Sequence, residues 1–178
     1  SNIKIENITE LNRSDLIRVI HEVYFTNNNS IKSAKEITYE FKNSNLYKYD
    51  FSDEIELKNF LNNIKDIDFN VLINNYYSGS FIGKHFEKTD FSEFLDAYKK
   101  NIIPVIVITK TLLKTFKKKK KGLIISISSE SISNPPIGTG LYSTVKSVIE
   151  QLSKTWNSEY NQYGTSSKII SPSFMRTN

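Results

Sequence analysis

Residues 123–146 read LIISISSESISNPPIGTGLYSTVK, and the change of period inside this stretch decides the fold. Residues 123–128 (LIISIS) are a short β-rich run, bounded by Gly122 before and polar residues after. From Leu141 to Tyr160 the period becomes helical, with Val145, Ile149, Leu152 and Trp156 along one side. A buried strand that feeds a long amphipathic helix is half of a βαβ unit.

The same alternation holds outward in both directions. Residues 21–26 (HEVYFT) predict a strand, Asn27 to Ser30 a turn with a helix N-cap, and residues 31–41 a helix. Residues 46–51 (LYKYDF) predict another strand, after which Ser52 caps a helix through Ile55, Leu57, Phe60, Leu61 and Ile64. Val71, Leu72 and Ile73 form an apolar run of the kind that suits a strand buried on both faces. A long helical stretch, residues 91–116, is broken by Pro104 near its centre. Residues 168–170 form a last short strand before Ser171 and Pro172. Strands that alternate with helices pair in parallel. The expected class is α/β, one domain over residues 1–178.

Composition removes several kinds of chemistry. The 178 residues include no cysteine, which excludes disulfides, thiolate zinc sites and a cysteine nucleophile. The two histidines, His21 and His85, have no partners at ligand spacing, so no metal site is expected. With 38% hydrophobic and 12% aromatic residues the chain can build a core. No apolar run approaches the roughly 18 residues that cross a bilayer, and no signal peptide is expected. A cytoplasmic protein without membrane partners is expected.

Chemistry gathers after the strand at residues 123–128, since ligands of doubly wound sheets bind beyond the carboxyl ends of strands. Ser129 stands there, and thirteen residues later comes Tyr142, followed by Lys146. The phenol and the ammonium lie one helical turn apart on one face. A cation so placed favours the phenolate, which suits Tyr142 to acid/base work. A serine hydroxyl nearby could hold a carbonyl or alcohol oxygen. Together these groups suit proton transfer to oxygen while hydride arrives at carbon.

At these residues the chain resembles the short-chain dehydrogenase/reductase family. The YxxxK motif is Tyr142 to Lys146, and the catalytic serine falls on Ser129. The mid-helix asparagine is Asn101 in KKNIIPVIVITKTLL, and the NNAG element appears as Asn74-Asn75-Tyr76-Tyr77. The aspartate that helps seat adenine is Asp50, followed by Phe51, in KYDFSD, and the PGxxxT turn runs from Pro172 to Thr177. The resemblance implies a Rossmann-like doubly wound sheet with helices on both faces. It also implies a nicotinamide cofactor, NADP or NAD, that supplies hydride. Tyr142 would be the general acid or base, assisted by Lys146, which would also hold the nicotinamide ribose. Ser129 would orient the substrate oxygen, Asn101 would hold a relay water, and Thr177 would contact the carboxamide.

The glycine motif departs from the family pattern. Laid on Thr9 to Leu16, it places Glu10, Ser14 and Leu16 at the three glycine positions, where glycine permits a tight turn and close approach to pyrophosphate. Tyr76 and Tyr77 replace a small pair, and Ser173 replaces a glycine. The chain ends at Asn178, where family members continue into a substrate-covering loop. Missing segments are the expectation, because the set Asn101, Ser129, Tyr142 and Lys146 is intact. No acid ends the strand of residues 21–26, where Thr26, Asn27 and Asn28 stand, and Arg13 could pair with a 2′-phosphate, which favours NADP over NAD.

Residues 117–121 are five lysines. At the end of an apolar helix, with Gly122 after it, this run reads as a solvated helix end with glycine at C′. A nucleic-acid role is set aside, although the run and the net charge of +5 could attract an acidic carrier protein. The resemblance implies a ketone/secondary-alcohol oxidoreductase, with 3-oxoacyl-carrier-protein reductases as one example and a free or carrier-bound carbonyl as substrate. A homodimer or homotetramer through the helices of residues 91–116 and 141–160 is expected. The competing expectation is a degenerate, non-catalytic member that serves as a binding or assembly subunit.

Overall fold

Each β-rich run of the sequence becomes a strand, and the strand pairs among the described residues are parallel. The computed structural model describes residues 23–27, 35, 39 and 44–173. The chain divides into two compact units between Asp50 and Phe51.

In the first unit, β1 (Val23–Asn27) pairs with β2 (Ser44–Lys48), Val23 opposite Ser44. The rings of Tyr24 and Tyr47 stack at 6.2 Å across the pair. The second strand was expected at residues 46–51, but it ends at Lys48, and Phe51 already lies in a turn. Lys35 and Tyr39 are helical, as the period of residues 31–41 requires. Arg13, Thr177 and the positions of the glycine motif lie outside the described residues.

In the second unit, Phe51 is drawn out of any strand because its ring packs on Phe60 at 5.0 Å and on Tyr76 at 5.6 Å. Helix α1 (Glu54–Ile64) starts one residue later than expected. Its cap is Asp53, not Ser52, because the Asp53 carboxylate accepts from the amides of Ile55 (2.8 Å) and Glu56 (3.0 Å).

Strand β3 (Val71–Asn74) lies beside β4 (Gly122–Ile127), which lies beside β5 (Thr165–Ile170). The crossover from β3 to β4 carries α2 (Phe91–Asn101) and α3 (Ile103–Lys119). The crossover from β4 to β5 carries α4 (Gly140–Tyr160). The expectation that β3 is buried on both faces does not hold. Val71 and Ile73 share one face and are 44% and 56% exposed, while Asn74 on the other meets Thr109 of α3 at 3.4 Å. The helical stretch breaks where Pro104 requires it, with Ile102 as the joint and Pro104 in the first turn of α3, where no amide hydrogen is needed.

The lysine run is built differently from its sequence reading. The left-handed residue that ends α3 is Lys120 (φ 52°), not Gly122. Gly122 opens β4 and is glycine for another reason: a Cβ there would meet Phe116 Cγ at 2.3 Å. Lys119 is not free in solvent either, since its ammonium binds Asp68 at 2.5 Å, Asn70 at 3.3 Å and the carbonyl of Phe69.

Candidate active site

The carboxyl end of β4 is the anchor point. Ile127 is its last residue, and the carbonyl of Ile127 accepts a hydrogen bond of 2.9 Å from Lys146 Nζ. Lys146 reaches that carbonyl because α4 starts close to the strand end in a fixed way. Thr139, fully buried, precedes the helix and bonds back to the Pro136 carbonyl through its hydroxyl at 2.7 Å. The Ser143 hydroxyl then donates to Thr139 Oγ1 at 3.2 Å. Val145, Ile149 and Trp156 are buried on the same side of α4, along the stripe next to Tyr142 and Lys146, and fix the rotation of the helix about its axis.

Lys146 is 4% exposed. Burial pushes its ammonium below the usual lysine range, because the charged form loses hydration. Two aromatic faces replace part of that hydration: Nζ lies 5.7 Å from the ring centre of Tyr142 and 5.8 Å from that of Tyr77. Tyr142 is itself held edge-to-face by two rings, Tyr77 and Phe81, each at 4.8 Å. Burial, and then the neighbouring Tyr142, push the Tyr77 phenol up.

Ser129 lies two residues beyond Ile127, at the same strand end. Its hydroxyl oxygen accepts from the Ser131 amide at 3.2 Å and from the Ser131 hydroxyl at 2.9 Å. With its acceptor capacity engaged, Ser129 keeps its own O–H to donate.

Asn101, fully buried at the end of α2, holds the loop that follows β3. Its Oδ1 accepts from the Ser78 amide at 2.6 Å, and its Nδ2 donates to the carbonyls of Ser78 and Ala97, both at 3.0 Å. Both amide hydrogens are therefore spent on backbone, and one lone pair of Oδ1 remains. This grip fixes the segment that carries Tyr77 and Phe81 against Tyr142.

The other expected site residues are more scattered. Asn74 is buried at the end of β3, whereas Asn75 is exposed. Phe51 is a core residue, 6% exposed, and Asp50 is half-buried at the end of the first unit. Phe81 is the contact that sequence reasoning missed, because no spacing signals it. Tyr77 was visible only as a departure from a small residue, and its ring contact with Tyr142 needed the fold.

Beside Tyr142 opens a cleft of about 420 Å³, walled by residues 77–81, Gly83, Lys84, the first half of α2 and Leu141. An exposed ion pair, Lys84 with Glu93 at 2.7 Å, stands on its wall. Among the described residues no group of histidines and carboxylates could hold a metal ion, and no helix is long and apolar enough to cross a membrane.

A family model, short chain dehydrogenase, matches residues 14–178, and the chain belongs to that family. The 17-beta-hydroxysteroid dehydrogenase type 3 of Mus musculus is 29% identical over 124 residues, 69% of this chain and 40% of the mouse protein. The chain spans less than half the length of the curated relatives it matches. Among solved structures, the bulky-bulky ketone specific alcohol dehydrogenase from Comamonas testosteroni matches with a TM-score of 0.79. Its identity is 19%, over 92% of this chain and 66% of its own. A short-chain dehydrogenase from Sphingobium yanoikuyae in complex with NADPH matches with a TM-score of 0.78 at 17% identity, over 90% of this chain and 65% of its own. At these identities the likeness shows the fold, the Rossmann-like α/β arrangement of parallel strands and helices expected from the sequence.

Proposed function

We propose that this chain carries the catalytic site of an NAD(P)-dependent oxidoreductase that interconverts a ketone and a secondary alcohol. The observation that carries the reading is the buried Lys146 ammonium, pinned to the Ile127 carbonyl one helical turn from Tyr142, which borders an open cleft.

The donor set of Lys146 fits a nicotinamide nucleotide. An ammonium has three hydrogens and Ile127 takes one, which leaves two for the neighbouring hydroxyls of a ribose. When bound, the nicotinamide supplies or accepts the hydride. Toward the alcohol, Tyr142 Oη gives its proton to the carbonyl oxygen; toward the ketone, the phenolate takes it back. Lys146 stabilises the negative phenolate from its own side of the helix. Ser129 donates its O–H to the same oxygen and orients it. Asn101 acts as a positioning residue for the loop of Tyr77, and only the remaining lone pair of Oδ1 could meet a relay water.

Asn74, Asn75, Asp50 and the backbone of Phe51 remain proposed cofactor contacts, with Arg13 and Thr177 completing the set. NADP is preferred over NAD, on Arg13 and on the NADPH held by the Sphingobium protein. The names of the relatives support ketone or hydroxysteroid chemistry, and a carrier-bound 3-oxoacyl group is a further candidate. The family match over residues 14–178 supports reading both units as one Rossmann-like domain. A cytoplasmic homo-oligomer is the proposed setting.

One observation favours the competing reading of a non-catalytic binding or assembly subunit: the Tyr77 ring lies against Tyr142 and over Lys146. Titration with NADPH and NADH, followed by nicotinamide fluorescence, separates the two. Micromolar binding, with turnover of a ketone panel that falls by about 10²-fold or more in Tyr142→Phe, is the expected result. Absence of binding by either dinucleotide would leave the assembly reading.

A further inference from the structure

Lys146 has two donors beyond its bond to Ile127, yet its side chain is almost wholly covered. Two rings lie beside its ammonium, Tyr142 at 5.7 Å and Tyr77 at 5.8 Å. Tyr142 cannot leave, because it stands on α4 one turn from Lys146 and is held between Tyr77 and Phe81. Tyr77 is different in kind. It comes from the loop after β3 and reaches across to the helix.

The backbone under Tyr77 is firmly seated, since Asn101 grips both the amide and the carbonyl of the next residue, Ser78. The tip of its side chain is weakly held. Among the described residues its hydroxyl makes one hydrogen bond, to the Ser80 carbonyl at 3.3 Å, long and exposed. That bond lies within the loop itself and does not tie the ring to the helix. Between the two partners sits Gly79 at φ 133°, a conformation that a side chain rarely adopts, and a Cβ there would meet the Tyr77 hydroxyl at 3.4 Å. Rotation about χ1 would lift the ring off Tyr142 and off the cluster of Ile102, Val145 and Ile149 on which it packs, while Asn101 holds the loop.

We propose that Tyr77 is a gating residue whose ring covers Lys146 and Tyr142 in the free protein. It swings aside to admit the hydroxyl-bearing ribose of a nicotinamide dinucleotide. The identity of the ribose rests on the functional reading above, whereas the cover itself does not. A ligand that displaces the ring forfeits its edge contact with Tyr142, its contact with the ammonium and its packing on the cluster of Ile102, Val145 and Ile149. Each is a modest interaction, and together they lower affinity at least about tenfold.

Amine labelling tests the cover without any cofactor. The intact protein is treated with a dilute acetylating reagent, and the rate at each lysine is read by peptide mass mapping. Lys146 is expected to react at least about tenfold more slowly than the exposed Lys110, and about tenfold faster in Tyr77→Ala than in the parent. Tyr77→Phe keeps the ring and should keep the protection. Tyr76→Ala should also keep it, because Tyr76 packs on Phe51 instead. An unchanged Lys146 rate in Tyr77→Ala, or an equal acceleration in Tyr76→Ala, would overturn the cover.

The same variants are then titrated with NADPH. Tyr77→Ala should bind about tenfold more tightly than the parent. Faster labelling with equal affinity overturns the gate. Faster labelling with no NADPH binding by any variant overturns the cofactor reading and leaves the cover standing.

Discussion

Burying the ammonium of Lys146 costs stability at neutral pH. The unfolded chain keeps this lysine near its ordinary 10.5, while burial lowers it in the fold. Between those two values the unfolded state binds the extra proton, so the fold gains stability as pH rises through that window. Below it the desolvation cost is felt in full. Lys146→Met keeps the stem and removes the charge, so its melting temperature relative to the parent should be highest near pH 7. That advantage should shrink as pH approaches 10.5, whatever the lost bond to Ile127 costs at every pH. A difference constant from pH 7 to 10 would mean that the ammonium is well solvated after all. At this scale the sequence was informative where chemistry imposes spacing. Tyr142 and Lys146 are four apart on one helix, and the Lys146 ammonium meets the end of the strand that Ser129 follows. It was silent on what surrounds them, because Tyr77 and Phe81 meet Tyr142 only through a loop whose course no short-range pattern encodes.

Elements are joined here by backbone contacts at a few residues, and two of those joints yield predictions. Asn101 ends α2 and satisfies both polar groups of Ser78. Asn101→Ala leaves the amide and carbonyl of Ser78 without their partner, while the carbonyl of Ala97 keeps its helical donor, so urea unfolding should show a loss of about 2–3 kcal/mol. Gly164 links α4 to β5 at φ 74°, and a Cβ there would lie 2.1 Å from the Lys120 carbonyl oxygen. Gly164→Ala should therefore cost about 3 kcal/mol or more, since the obstacle is backbone. Gly83→Ala is the control: its Cβ would meet nothing nearer than 3.6 Å, so the change should stay within about 1 kcal/mol. Strand and helix identities were legible because their periods differ. Ends were less so, for reasons that lie in tertiary contacts. Phe51 leaves the strand for an aromatic cluster, Asp53 outcompetes Ser52 as a cap, and Lys120 takes the left-handed turn while Gly122 makes room for Phe116.

On the scale of the whole molecule, the distribution of exposed apolar residues asks for a partner. Helix α2 is amphipathic, yet Phe91, Leu95 and Tyr98 are 76%, 49% and 44% exposed. Leu95 and Tyr98 border an apolar groove of about 180 Å³ that continues onto Leu141, Val145 and Val148 of α4. Scattered apolar residues are ordinary on a surface, but a contiguous face along two helices is the kind of surface that proteins cover. A second copy of the chain offers the same face, and a twofold axis would pack α2 and α4 against their equivalents. Such an interface needs roughly 800 Å² from each partner, within reach of two helices of 11 and 21 residues. In sedimentation equilibrium the protein should behave as a dimer or tetramer at micromolar concentration. Leu95→Arg puts a charge into the groove mouth without touching the Tyr142–Lys146 pair, and should weaken association by at least about 100-fold. The variant should retain the dinucleotide affinity of the parent if the site is complete within one chain. A parent that sediments as a monomer would remove the dimer and leave this face to a different protein.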